Sequence, residues 1–206
     1  MLASNEGVFF VPFQPECMEK HRNKDHLECN LCSENHDFTI TLLKDIDELS
    51  EKIIASAGKF PEWFPHYARM AYAITLVVHE ACMNAVEHGI LGLDKESKKK
   101  RMVELEGEYP AWVEAEWKRK NIPIYISLCL NAERILIGVH DGGRGFDFTS
   151  KNFSTISDAE MLDPSGRGLN IMGGMGVNLQ WNRCGNSVLC SYRRPDLAAR
   201  ENPNRG

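Results

Sequence analysis

The chain has 206 residues, 43% of them apolar and 26% charged, which suits one α/β domain with additions and supplies enough apolar material for a core. Its formal net charge of −5 argues against a dedicated DNA or RNA binder, which carries a basic excess. The same charge leaves single-nucleotide binding open, because local backbone N–H groups hold phosphates at any net charge.

No apolar run approaches the roughly 18–20 residues of a bilayer span, so no membrane segment is expected. The opening MLASNEGVFFVPFQPE lacks the basic region and the longer apolar stretch of a signal peptide. Seven cysteines is an odd count, and Cys82, Cys129 and Cys190 fall in apolar-patterned segments. They read as reduced, buried thiols of a cytoplasmic protein.

Residues 1–35 read as an N-terminal extension: Val8 to Val11 could form a short strand that Pro12 and Pro15 break, and a polar stretch follows. Residues 36–194 read as the domain, beginning with a strand from His36 to Leu43 in which apolar and polar residues largely alternate. Asp45 or Asp47 can cap the next helix, which runs to about Ala57 and stops at Gly58. Phe60 to Pro65 is a connector with aromatic anchors. A long helix is predicted from Ala68 to His88, with Ala71, Ile74, Val77, Val78, Ala81, Cys82 and Ala85 as its core stripe and Gly89 as its end.

The charged run 92–121 is predicted as one or two exposed helices, broken near Gly107 and Pro110, and reads as a solvated face. Strands follow at Pro123–Leu130 and Arg134–His140, joined by a tight turn over Asn131, Ala132 and Glu133. A glycine-bearing loop leads to a short helix from Gly166 to Met175. The last strands, Val177–Trp181 and Ser187–Tyr192, flank a turn at Cys184, Gly185 and Asn186. Residues 195–206 read as a mobile tail. This order predicts an α+β fold, a two-layer α/β sandwich with a mostly antiparallel mixed sheet and helices on one face.

Three segments could carry chemistry together. In His79–Gly89, the residues Glu80, Asn84 and His88 fall at four-residue steps and so share a helix face. A carboxylate and an amide oxygen in a row suit a hydrated divalent cation, or an activated water or hydroxyl. A zinc-protease reading fails, because the second histidine of H-E-x-x-H is Met83 here. The second segment, Asp141-Gly142-Gly143-Arg144-Gly145, follows a strand directly, and its glycines let backbone approach a ligand. It lacks the Lys-Ser/Thr of a P-loop, and no βαβ unit surrounds it. The third, Ser165-Gly166-Arg167-Gly168-Leu169, opens a helix and offers N–H groups and an arginine to phosphate. Each alone is also what an exposed helix flank, a tight turn or an ordinary helix start looks like.

Taken in order, the three resemble the asparagine box and two glycine boxes of the gyrase/chaperone/histidine-kinase/mismatch-repair (GHKL, Bergerat-fold) ATPase superfamily, over roughly His36 to Tyr192. Within it, the run Glu80 to Gly89, a short lid between Phe146 and Ser165, and Gly166-Arg167-Gly168-Leu169-x-Ile171-Met172 resemble the anti-sigma-factor serine/threonine kinases. The resemblance implies ATP/ADP and Mg²⁺ as cofactors, with Asn84 holding Mg²⁺ and Asp141 bonding the adenine amino group. It implies Gly143 and Gly145 under the base, Gly166, Arg167 and Gly168 on the phosphates, and Glu80 as general base toward a partner's serine. His88 and Leu169 complete the implied nucleotide-binding set. The implied partners are an anti-anti-sigma (STAS) protein and a sigma factor, and a homodimer is expected. A non-catalytic module in which nucleotide only sets a partner-gripping conformation is the alternative.

Two features depart from the family pattern. The insertion 92–121 is longer than in plain members, and the N-terminal extension lies outside the core. That extension, with the residue after it, holds Cys17, His21, His26, Cys29, Cys32 and His36. Cys29-x-x-Cys32 could bind zinc, but no second well-spaced pair accompanies it, and the reading adopted is a thiol pair without metal.

Overall fold

The structure, a computed structural model, describes residues 34–143, 145, 172–182 and 184–197. Five strands form one sheet: β1 (Glu34–Ile40), β2 (Ile124–Leu130), β3 (Arg134–His140), β4 (Val177–Trp181) and β5 (Ser187–Arg193), in the spatial order β1-β2-β3-β5-β4. Every described pairing is antiparallel. The register lines Phe38, Ile126 and Val139 up across three strands, and Ile135 opposite both Leu130 and Tyr192. One face of the sheet is therefore a continuous apolar layer, because side chains alternate along each strand.

Helices α1 (Leu43–Ala57) and α2 (Tyr67–Asn84) pack on each other and complete the core with that face. In α1 the buried residues Ile46, Leu49, Ser50, Ile53 and Ala57 recur at helical spacing. The helix begins two residues before Asp45, and that carboxylate caps it from inside by accepting from the Leu42 N–H at 3.0 Å. The strand predicted to reach Leu43 stops at Ile40 because the chain turns here to satisfy those N–H groups.

Between the helices, a 3₁₀ turn at Pro61–His66 buries Trp63 completely. Its indole N–H donates to the Asn131 carbonyl at 3.0 Å, and its ring stacks on Tyr192 with centroids 5.9 Å apart. The connector is thus a pin from the helical layer to the β2–β3 turn and to β5. In α2 the stripe Ile74, Val77, Val78, Ala81 and Cys82 is buried as the spacing predicts, joined by Met70 and Ala73, while Ala71 is only half-buried.

The helix does not stop at Gly89. It widens after Asn84 into a π-turn, Ala85–Ile90, in which the Leu91 N–H reaches back to the Val86 carbonyl at 2.8 Å. The charged run forms α3 (Lys95–Leu105) and α4 (Tyr109–Lys120), separated by a 3₁₀ turn at Glu106–Glu108. Pro110 lies in the first turn of α4, where a missing N–H costs nothing. The run is not wholly a solvated face. Tyr109, Val113 and Trp117 of α4 are buried, although none of the residues of α3 is.

Cys82 and Cys190 are free and buried, whereas Cys129 is disulfide-bonded, which corrects its reading as a reduced thiol. Burial raises both free thiols above their ordinary range, Cys190 to about 12, so neither is a ready nucleophile at neutral pH. No helix among the described residues is long and apolar enough to cross a membrane. The extension through residue 33, including Cys17, His21, His26, Cys29 and Cys32, lies outside the described residues, as do the lid and the end of the tail.

The Trp63 pin has a measurable weight. Trp63→Ala empties a fully buried site and removes the bond to Asn131, so unfolding in denaturant should show a loss of about 3–5 kcal/mol.

Candidate functional site

A cleft of about 1180 Å³ opens where the C-terminal end of α2 meets the ends of β3 and β5. Glu80, Asn84, His88, Asp141, Gly143 and Gly145 all line it. Residues far apart in sequence therefore converge, while Gly166, Arg167, Gly168 and Leu169 lie outside the described residues.

Glu80 and Asn84 sit one turn apart on α2, both half-buried. Asn84 is its last α-helical residue, and the π-turn begins immediately after it. His88, inside that turn, has Nδ1 2.5 Å from the Leu93 carbonyl. A carbonyl only accepts, so the ring proton sits on Nδ1 and leaves Nε2 as an acceptor in the neutral ring.

Asp141, the residue after β3, is buried with 6% of its surface exposed. Its Oδ1 accepts from the Gly143 N–H at 2.8 Å, closing a side-chain turn of the kind aspartate favours. Burial pushes the carboxyl up to about 6, against the opposing pull of the Gly143 N–H.

Glycine is required at three places around it. A Cβ on Gly89 would fall on the Asp141 carboxylate, and one on Gly143 would fall on the Gly89 carbonyl oxygen. Gly145 has φ +75° and runs against the Cys184 carbonyl, a position closed to any side chain for both reasons. Gly89, predicted as a helix stop, is thus a site of close approach between α2 and the Asp141 loop.

The turn between β4 and β5 braces that loop. The Asp141 N–H donates to the Asn186 carbonyl at 3.0 Å, and the Asn186 amide reaches the Gly143 carbonyl at 3.4 Å. Asn182 holds Asn186 in turn: its side-chain oxygen accepts from the Asn186 N–H at 3.1 Å and its amide donates to Asn186 Oδ1 at 2.8 Å. In the sequence this segment reads as a turn alone. The asparagine pair four residues apart was the available signal.

Another group escapes a reading of the sequence. Glu87 is 2% exposed and lies in the π-turn. Its Oε1 accepts from the Tyr109 hydroxyl at 2.9 Å and its Oε2 from the Lys98 ammonium at 2.5 Å. Burial and the neighbouring carboxylate raise the Tyr109 phenol, which keeps it a donor. The Glu87 carbonyl also accepts from the Leu93 N–H at 2.8 Å. The insertion is therefore fastened to the end of α2 and forms a wall of the cleft.

The family model described as histidine kinase-like ATPase domain matches residues 52–191, a span that contains all of the cleft residues above. No curated protein matches the chain.

The packing around Asp141 makes two variants informative. Gly89→Ala gains about 1 kcal/mol of helix propensity, but overpacking of about 1–3 kcal/mol against the carboxylate outweighs it. The variant should melt lower and lose nucleotide binding, read by thermal unfolding and titration calorimetry. Asp141→Asn keeps an oxygen for the Gly143 N–H and removes a charge that burial disfavours. The folded-state value near 6 lies above the ordinary one, so ionised Asp141 lowers stability above that pH and the deficit closes as pH falls toward 4. Without nucleotide, the variant should melt above wild type at pH 7.5 and match it near pH 4.

Proposed function

The chain belongs to the histidine kinase-like ATPase domain family, and on that premise we propose that it is an ATP-dependent serine/threonine kinase of the anti-sigma-factor type. The supporting observation is the convergence of Glu80, Asn84 and Asp141 on one cleft, with glycines where a ligand or backbone must approach. The partner would be an anti-anti-sigma (STAS) protein, whose phosphorylation is coupled to sequestering a sigma factor.

In this reading the unbonded Asp141 oxygen accepts from the adenine amino group, and Gly143 and Gly145 floor the base pocket. By the resemblance, Gly166, Arg167 and Gly168 would contact the phosphates, and Leu169 would complete the nucleotide-binding set. Among the described residues no group of three carboxylate, histidine or cysteine side chains could hold a resident metal. A magnesium ion fits such a donor set, since it takes one or two protein oxygens and relies on nucleotide phosphates and water for the rest. Asn84 supplies the amide oxygen, and His88 Nε2 can accept from a bound water. When bound, the ion neutralises phosphate charge.

Glu80 accepts the proton of the partner's serine hydroxyl as that oxygen bonds to the γ-phosphorus. The bond from γ-phosphorus to the bridging oxygen breaks, and its electrons leave with ADP. Positioning and electrostatics supply most of the acceleration. A homodimer belongs to the same proposal, and the outer edges of β1 and β4 are one physical route to it.

Calorimetry with ATP and ADP, with and without Mg²⁺, tests the cofactor half: binding should depend on Mg²⁺ and be lost in Asn84→Ala. Transfer of labelled γ-phosphate to a STAS protein tests the kinase half. Glu80→Ala should bind ATP normally and transfer about 10²–10⁴-fold more slowly. Full partner regulation by Glu80→Ala would instead select the non-catalytic module.

A further inference from the structure

We propose that the insertion contributes a phosphate-binding residue to the nucleotide site: Lys98, held at the cleft wall by the buried carboxylate of Glu87. The inference rests on the nucleotide reading of the cleft and adds to it a ligand from outside the asparagine and glycine boxes.

Lys98 lies on α3, a helix with no buried residue, yet its side chain is only 19% exposed and lines the cleft. Lys99, its neighbour on the same helix, is exposed. What differs at Lys98 is Glu87, whose Oε2 stands 2.5 Å from the ammonium. Glu87 is fixed on its other oxygen by Tyr109, and it follows Asn84 by one helical turn. The ammonium is thus held in the cleft by the residue three positions after Asn84, which would meet the metal-bound phosphates.

An ammonium has three donors and no acceptor. Glu87 takes one, and among the described residues no other partner takes the remaining two. A phosphate oxygen suits them best, because its charge strengthens each hydrogen bond beyond what a neutral acceptor supplies. A free lysine must surrender rotamer entropy to bind in one place. Here the buried carboxylate has already ordered the chain, so less is lost on binding. The ligand class is a nucleoside polyphosphate, because the donors belong to a side chain held by Glu87, three residues after the Asn84 that the proposed function sets on the metal-bound phosphates.

The test compares ATP, ADP and adenosine by calorimetry on the full chain. Lys98→Met should weaken ATP and ADP by about tenfold or more, the scale of a lost charged hydrogen bond, and leave adenosine unchanged. Lys98→Arg, which keeps the charge, should stay within about threefold of wild type. Lys98→Met leaves a buried carboxylate unpaired and could fail to fold, so the double variant Glu87→Gln/Lys98→Met, which removes both charges, is measured beside it. It should show the same selective loss. Equal loss of adenosine and ATP would make Lys98 a structural residue, and unchanged ATP binding would make it a bystander; either overturns the proposal. Wild type that binds neither adenosine nor ATP overturns the nucleotide reading itself, and the proposal with it.

Discussion

The cleft depends on one close approach, that of Gly89 in the π-turn to the Asp141 carboxylate at the end of β3. No side chain fits between them, so helix and loop are in register only while position 89 is glycine. The π-turn is part of the same arrangement. It widens the helix where a regular turn would carry the chain onward at the narrower radius, and such turns recur at functional sites. Gly143 then packs on the Gly89 carbonyl, and Gly145 on the Cys184 carbonyl. Backbone-to-backbone contact therefore runs from α2 through the Asp141 loop to the β4–β5 turn. The result is a rigid pocket end that holds a carboxylate away from water, against the preference of the charge itself.

Glu87 imposes a second constraint one turn from Asn84. A buried carboxylate without partners costs several kcal/mol, whereas exposed pairs such as Lys100–Glu104 contribute about 0–1 kcal/mol. The cost of leaving Glu87 without partners is the greater of the two, and it decides where the insertion sits. Tyr109 and Lys98, from different helices, must both be in place for the Glu87 carboxylate to stay buried. The many surface charges of α3 and α4 keep the outer side of the insertion hydrated. Its docking rests on this carboxylate together with the apolar burial of Val113 and Trp117.

Much of this fold is legible in the sequence because its strands alternate and its helical stripe is regular. The bounds of β3 and β4 match the expected Arg134–His140 and Val177–Trp181: apolar positions alternate in β4, and β3 is a nearly continuous apolar run, each flanked by turn residues. The asparagine-bearing helix and the Asp-x-Gly-x-Gly loop are equally visible, and the family match over residues 52–191 agrees with them. What sequence does not carry is tertiary. Gly89 obeys the local rule for a helix stop, and only its contact with Asp141 explains it otherwise. Glu87 and Lys98 look like ordinary surface charges until the chain brings them within 2.5 Å. Asn186 reads as a turn residue because its bonds reach Gly143 and Asp141, more than forty positions away. Cys129 sits in an apolar pattern that is silent about its oxidation.

The two ends of the cleft are built on opposite principles, and this divides the labour of recognition. At Asp141 the contacts are short, glycine-lined and largely backbone, so shape and one carboxylate decide what fits. At Asn84 the wall is made of longer polar and charged side chains, Glu80, His88, Glu87 and Lys98. A nucleotide presents the same division, with an invariant planar base and a phosphate chain whose length and charge change on turnover. A backbone-lined end for the base and a charged end for the phosphates would let one cleft distinguish ATP from ADP without releasing the base. The insertion belongs to the charged end, since its attachment runs through Glu87 rather than through the glycine contacts. On the proposed reading, a partner that pressed on α3 or α4 would act on the phosphates before the base.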